Sequence, residues 1–312
     1  MKTAFLFPGQ GSQSVGMLTE LAAAWPVVGK TFDEASESLG YDLWKVVRDG
    51  PQESLDRTEI TQPAMLAAGV AVWRTWLAAG GAEPQMMAGH SLGEYSALVC
   101  AGALGFADAL RLVRDRGCFM QEAVPAGSGA MAAILGLDDD AVREACRQAR
   151  TNSQGGVETV AAVNFNAPGQ VVIAGSNGAV ERAIELAREA GAKRAVALPV
   201  SVPSHCALMK PAAERLTRRL GDIVITPPRI AVWNNVDVAT AQSIDAVRDA
   251  LVRQLYSPVR WVESVQAICA AGAELAIECG PGKVLAGLVK RIDKAASIHN
   301  IQDRAGVEAF SA

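Results

Sequence analysis

Histidine is scarce in this chain, and its three copies in 312 residues narrow any search for a catalytic base to His90, His205 and His299. Cysteine occurs six times, at Cys100, Cys118, Cys146, Cys206, Cys269 and Cys279, yet never as a Cys-x-x-Cys pair. That lack argues against a zinc site or a disulfide framework, and a reducing cytoplasm is the expected setting. No run of about 18 uninterrupted apolar residues occurs, so no membrane span is expected. The richest stretch, Tyr95 to Val113, carries Asp108 and Arg111 and reads as a pair of buried helices. The N-terminal run Lys2-Thr3-Ala4-Phe5-Leu6-Phe7 meets Pro8 and Gly9 too soon for a secretory segment, and reads as a first strand. Positive charge is not in excess either. A net charge of −4 argues against a general nucleic-acid binder, which needs a concentrated basic surface. Internal repeats and low-complexity segments are missing too.

What the chain does have is apolar mass, 50% of its residues, enough for one large domain or a large domain with a smaller insert. Residues 1 to about 125 alternate short apolar runs with helical stretches. A strand is expected at Lys2 to Phe7, helices around Met17 to Leu39 and Pro63 to Ala79, a strand before His90, then helices to Glu122. Such alternation implies a mainly parallel, helix-covered sheet and an α/β fold, with a hydrolase-like core expected once the serine elbow described below is added. Val124-Pro125-Ala126-Gly127-Ser128-Gly129 is rich in turn residues and marks a boundary. Beyond it the expected order is strand (Met131 to Leu135), helix (Asp139 to Ala149), strand (Val157 to Val163), a turn at Asn166 to Gly169, strand (Gln170 to Ala174), helix (Ala179 to Ala190) and strand (Arg194 to Pro199). This β-α-β-β-α-β order is that of a ferredoxin-like unit of about 70 residues. The expected division is a large catalytic α/β domain at 1–127 and 201–312 and an inserted ferredoxin-like subdomain at 128–200. Helical and strand patterns resume at Ala207 to Leu220, Ile230 to Asn234, Ile244 to Tyr256 and Leu275 to Glu278, and the last ten or so residues read as a loose tail.

The most informative stretch is Gly89-His90-Ser91-Leu92-Gly93. It has the G-x-S-x-G form of a strand-to-helix elbow that presents a serine hydroxyl as a nucleophile. A serine needs a base. His90 adjoins the serine on the elbow, where neighbouring side chains diverge, and His299 lacks turn glycines or a helper around it. His205 follows the rigid Val202-Pro203-Ser204 connection, distant in sequence, and is the expected base; the alternative is an ordinary hydrogen-bonded histidine. Acyl transfer also needs backbone donors aimed at the developing oxyanion. The N–H of Leu92, at the start of the helix after the nucleophile, can supply one. The Phe7-Pro8-Gly9-Gln10-Gly11-Ser12-Gln13 loop, with two glycines, can supply another; a phosphate cradle is the alternative, but the Gly-Lys-Ser/Thr ending and the G-x-G-x-x-G spacing are both missing.

Those two motifs, followed by Arg116-Gly117, Asn164-Phe165-Asn166, Pro203-Ser204-His205 and Gly280-Pro281-Gly282-Lys283, occur in an order that resembles the malonyl-CoA:acyl carrier protein transacylases, over about residues 3 to 295. The likeness is to the free-standing enzymes of bacterial type II fatty-acid synthesis. It implies an S-malonyltransferase in which Ser91 carries the malonyl group as an ester and His205 is general base, then acid. It further implies an oxyanion hole from the N–H groups of Gln10 and Leu92, Arg116 on the free malonyl carboxylate, and Asn164 in the pocket. Gln254 would orient the histidine through its main-chain oxygen. Malonyl-CoA and holo acyl carrier protein are the implied partners, with no metal or redox cofactor, no nucleic acid and no membrane; a monomer is expected.

Chemistry agrees with the arginine, since a planar guanidinium grips a carboxylate with two hydrogen bonds. Spacing alone does not choose among Arg111, Arg114 and Arg116; the match to Arg116-Gly117 does. A histidine held by a carbonyl rather than a carboxylate is expected to favour transfer over hydrolysis. Cys206 beside His205 is expected to be a packed, inert thiol rather than a nucleophile. Lys283, Lys290, Arg291 and Lys294 suit either carrier and coenzyme A contacts or a solvated helix face. Three rival readings remain: the malonyl transferase subunit of a malonate decarboxylase, a serine esterase or thioesterase, and an inactive binding module.

Overall fold

The structure, a computed structural model, describes residues 2–200 and 202–309. The expected domain limits at residues 1, 201 and 312 therefore lie outside the described residues. Nine strands occur among them: β1 (Thr3–Phe7), β2 (Met86–Gly89), β3 (Gly129–Leu135), β4 (Val160–Ala167), β5 (Gln170–Ser176), β6 (Arg194–Ala197), β7 (Ala231–Trp233), β8 (Leu275–Glu278) and β9 (Ser297–Asn300). They form a five-stranded sheet in the order β7-β2-β1-β8-β9 and a four-stranded sheet in the order β4-β5-β3-β6. Every pairing in the first sheet is parallel, and every pairing in the second is antiparallel. The chain is thus α/β, with a helix-covered parallel sheet and a smaller sheet of ferredoxin-like strand order.

Strand β1 shows why the large sheet sits in the middle of the molecule. Its residues alternate in direction: Phe5 and Phe7 enter one apolar cluster, while Ala4 and Leu6 enter another on the opposite face. Phe5 meets Trp73 and Trp76 edge-on, at centroid distances of 5.4 and 5.5 Å. Both tryptophans belong to the helix Thr58–Ala78, whose buried residues lie all round its axis, as expected of a helix enclosed by others. Helices Trp261–Ala270 and Val284–Ile292 cover the opposite face.

In the small sheet, helices Asp139–Ala149 and Asn177–Glu189 close one face around Ile134, Val160 and Ile173. The other face packs Met131, Val163, Val172 and Ala174 against Cys206, next to His205. Main-chain bonds reinforce that junction: Phe165 N–H donates to Val259 O at 3.0 Å and Val259 N–H to Val163 O at 2.8 Å.

Several elements differ from expectation. The helix expected from Pro63 begins at Thr58, because a proline favoured in a first turn here sits inside the helix. Strand β4 runs on to Ala167, so the turn contracts to Pro168-Gly169, with Gly169 at φ 71°. Of the last ten residues, 303–309 are better held than their pattern implies, and 310–312 lie outside the described residues. Strand β9 adds to the sheet edge beside β8, and the helix Arg304–Glu308 is capped by Asp303 and buries Val307. Among the described residues, no helix is long and apolar enough to cross a membrane.

Candidate active site

The elbow forms where β2 ends and the helix Gly93–Cys100 begins. Ser91 lies between them at φ 51°, a left-handed conformation that costs a non-glycine residue about 1–3 kcal/mol and persists only where the surroundings impose it. Two glycines make the turn sterically feasible. A Cβ on Gly89 would lie 1.8 Å from Gly93 C, and one on Gly93 would lie 2.0 Å from Phe7 O. The elbow is therefore locked backbone to backbone against the end of β1, and the His90 N–H donates to Phe7 O at 3.0 Å. The loop after β1 continues through Gly9, where a Cβ would lie 2.4 Å from His90 O. This contact brings the exposed Gln10 beside the nucleophile's turn, while Leu92 is buried directly after it. The loop after β1 and the turn of the nucleophile are thus in direct backbone contact.

His205 reaches the serine across 114 positions of chain. Its ring Nε2 lies 2.8 Å from Ser91 Oγ and its Nδ1 lies 2.7 Å from the main-chain oxygen of Gln254. A carbonyl only accepts, so Nδ1 carries the proton and the bare Nε2 accepts the serine O–H. Like the serine, His205 has a positive φ, 65°, and its own N–H is fixed by Leu255 O at 2.9 Å. Among the described residues, no carboxylate is hydrogen-bonded to its ring. Burial, aided by the Arg116 guanidinium, pushes its pKa down to about 3. Nε2 should therefore stay available as a base through mildly acidic pH. His205 itself is expected to add no acid limb to kcat/KM for acyl transfer above about pH 5, whereas Glu94, whose carboxyl pKa burial raises to about 7, is a separate source of pH dependence in that range. An acid limb with a midpoint near the ordinary histidine value of 6.5 that persists in Glu94→Gln would refute this assignment.

Arg116 comes from the helix Phe106–Glu122 and is 1% exposed. The following Gly117 lets this helix close on its neighbour, since a Cβ there would lie 2.9 Å from Thr58 O. The guanidinium donates to Gln62 Oε1 at 2.8 Å, to Gln254 Oε1 at 3.0 Å and to Ser91 Oγ at 3.4 Å. It also lies over the Tyr95 ring, 5.4 Å from its centroid. All its hydrogen-bond acceptors are neutral, and Nε has none. Its desolvation is offset in part by the buried Glu94 carboxyl, which acts on it through space without a hydrogen bond, and the guanidinium can still seat a substrate anion.

A match to the acyl transferase domain model extends over residues 4–305. The chain belongs to the acyl transferase domain family. Its acyl transferase domain is 61% identical over 289 residues to the malonyl CoA-acyl carrier protein transacylase of Escherichia coli K12, covering 93% of this chain and 92% of that one. It is 46% identical to the protein of that name from Bacillus subtilis, covering 98% of this chain and 95% of the relative. Among solved structures, it resembles an acyl carrier protein S-malonyltransferase from Vibrio cholerae with a TM-score of 0.95 and 57% identity, covering 99% of both chains. A malonyl-transacylase in complex with a type II PKS acyl-carrier protein gives a TM-score of 0.96 and 55% identity, each chain covered to 99%.

The remaining expected residues of this acyl transferase domain lie on β4, beside His205 and near the C-terminal helices. Asn164 lies on β4, partly buried, with Oδ1 unpartnered; no hydrogen bond of Asn164 to Ser91 or His205 occurs among the described residues. Its neighbour Asn166 does reach the elbow, with Oδ1 2.8 Å from His90 Nε2. Cys206 is buried, its Sγ faces Pro203 O at 3.1 Å, and burial lifts its pKa to about 11, so it packs as an inert thiol. Of the basic cluster, Lys290 binds Ala296 O at 2.6 Å and Arg291 binds Gln170 Oε1 at 2.5 Å. Sequence reasoning missed Gln62, Glu94 and Asn235, whose side chains meet this network. A usable signal existed for one of them: Asn235 follows an expected strand, and open parallel sheets place their sites at the carboxyl ends of strands.

Proposed function

We propose that the chain transfers the malonyl group from malonyl-CoA to the phosphopantetheine thiol of acyl carrier protein, the malonyl-transfer step of fatty-acid synthesis. The observation that carries this reading is the buried Arg116 guanidinium, 3.4 Å from a serine oxygen that is itself 2.8 Å from a histidine. The relatives named for the same reaction support it. Ser91 Oγ attacks the thioester carbonyl as His205 Nε2 takes its proton, and the N–H groups of Gln10 and Leu92 receive the oxyanion. Arg116 holds the malonyl carboxylate. Collapse expels the coenzyme A thiolate, to which His205 returns the proton. The carrier thiol then gives its proton to His205, attacks the malonyl-serine ester and releases Ser91 with its hydrogen restored. Thioester and holo carrier bring every reacting group, so the sequence as written calls on no metal or redox cofactor.

In this reading residues 1–127 and 201–312 form the catalytic unit and 128–200 an inserted one; in its support, the small-sheet strands all lie between Gly129 and Ala197 and the large-sheet strands all lie outside that span. Six free cysteines favour a reducing, cytoplasmic setting. A carbonyl rather than a carboxylate behind His205 leaves it a weaker base toward water, which favours the thiol acceptor. The test is a trap and chase. Radiolabelled malonyl-CoA should leave label on Ser91 that holo acyl carrier protein removes as malonyl thioester. Rapid release of free malonate without carrier would instead make the protein a hydrolase.

A further inference from the structure

Two backbone groups at the elbow need partners that neither strand nor helix provides: the Gly89 carbonyl and the Ser91 N–H. Asn235 serves both, with Oδ1 accepting from Ser91 N at 2.7 Å and Nδ2 donating to Gly89 O at 2.7 Å. An asparagine amide carries one acceptor and one donor group at this reach, whereas aspartate lacks the donor. Asn235 is itself held, because its N–H donates to Glu94 Oε2 at 3.0 Å. The same carboxylate oxygen accepts from Gln254 Nε2 at 2.8 Å, and that amide nitrogen also donates to Ser91 O at 3.1 Å. Gln254 closes the circuit, since its main-chain oxygen binds His205 Nδ1 at 2.7 Å. All three of these side chains are buried, at 0% exposure for Asn235 and Gln254 and 2% for Glu94.

We propose that Asn235 is a positioning residue for malonyl transfer: anchored by Glu94, it clamps the backbone of Ser91 so that the nucleophile stays in register with His205. The circuit grips Ser91 at its N–H through Asn235 and at its C=O through Gln254, and Gln254 also orients the base. Serine and histidine are thereby referred to one frame, although each sits in a left-handed backbone conformation that relaxation would otherwise abolish. Asn235 touches no reacting atom in this role. Its loss should slow the step that needs serine–histidine alignment and leave substrate capture by Arg116 intact.

The inference rests on the malonyl-transfer reading, so the wild-type protein is the first arm of its test. Single-turnover labelling of Ser91 by radiolabelled malonyl-CoA should saturate at one label per chain; failure of the wild type to take label would refute the reading itself. With the wild type labelled, Asn235→Ala should lower the acylation rate constant by about 10- to 100-fold, the scale of a misplaced reacting group, with the half-saturating malonyl-CoA concentration little changed. Asn235→Asp keeps the outline and the acceptor but loses the donor to Gly89, and should also be slow. Glu94→Ala probes the circuit from its other end, and Glu94→Gln, which retains an oxygen for both donors, should recover most of the rate that Glu94→Ala loses. A merely structural asparagine would reduce the final amount of label, through unfolded protein, without slowing the labelled fraction. That result, or a wild-type rate constant in any folded Asn235 variant, overturns the proposal.

Discussion

Ser91→Ala and His205→Ala are each expected to lower malonyl transfer on the order of 10⁴-fold or more, and the double variant is expected to fall no further than the worse single one. The two side chains share one proton, across the 2.8 Å between Ser91 Oγ and His205 Nε2, so removing either removes the same step. Ser91→Ala should trap no label from malonyl-CoA. His205→Ala should trap it slowly, because a hydroxyl without its base is a poor nucleophile. Any residual turnover would come from substrate binding and the backbone donors around the elbow, which neither change touches. Stability should change little in Ser91→Ala, since Arg116 keeps its bonds to Gln62 and Gln254. Losses that multiply in the double variant would show that the two residues act independently, and label on another residue of Ser91→Ala would move the nucleophile elsewhere.

The elbow was legible in the sequence because its demands are local. Gly89 and Gly93 are forced by clashes of 1.8 and 2.0 Å that any Cβ would create, and such requirements leave a mark in neighbouring residues. His205 was reachable by elimination, since three histidines leave few choices. Strand β1 and the order of the small sheet followed from apolar period and turn residues. Asn235 and Glu94 were not readable in the same way. Their roles arise from contacts across 141 to 160 positions of chain, and a buried polar residue has no periodic signature. The helix at Arg304–Glu308 and strand β9 are too short for a period to emerge. They are held by Val307 and Ile301 packing into the main core, a tertiary effect that overrides weak local preference.

Arg116→Ala should separate substrates rather than merely weaken the protein. With malonyl-CoA, the variant leaves a carboxylate desolvated beside Ser91 without a counter-charge, a loss of about 3–5 kcal/mol for breaking a buried pair, or roughly 10² to 10⁴ in kcat/KM. With acetyl-CoA the sign changes. In the wild type an uncharged acyl group must enter beside a buried guanidinium hydrogen-bonded only to neutral groups and answered only through space by Glu94, so rejection originates in an incompletely answered charge. Removing the charge removes that penalty. It also removes one of the influences holding the His205 pKa low, which makes the histidine a stronger base toward the serine. Acetyl transfer should therefore hold or rise while malonyl transfer collapses, and the pKa of His205 should move up. Arg116→Lys should not restore malonyl transfer fully, because a single ammonium cannot hold Gln62 and Gln254 on separate nitrogens and still present a fork to the carboxylate. The ratio of kcat/KM for the two thioesters, measured in wild type and both variants, decides the point. Equal losses for malonyl and acetyl groups in Arg116→Ala would mean that the arginine holds the site together and does not read the substrate's charge.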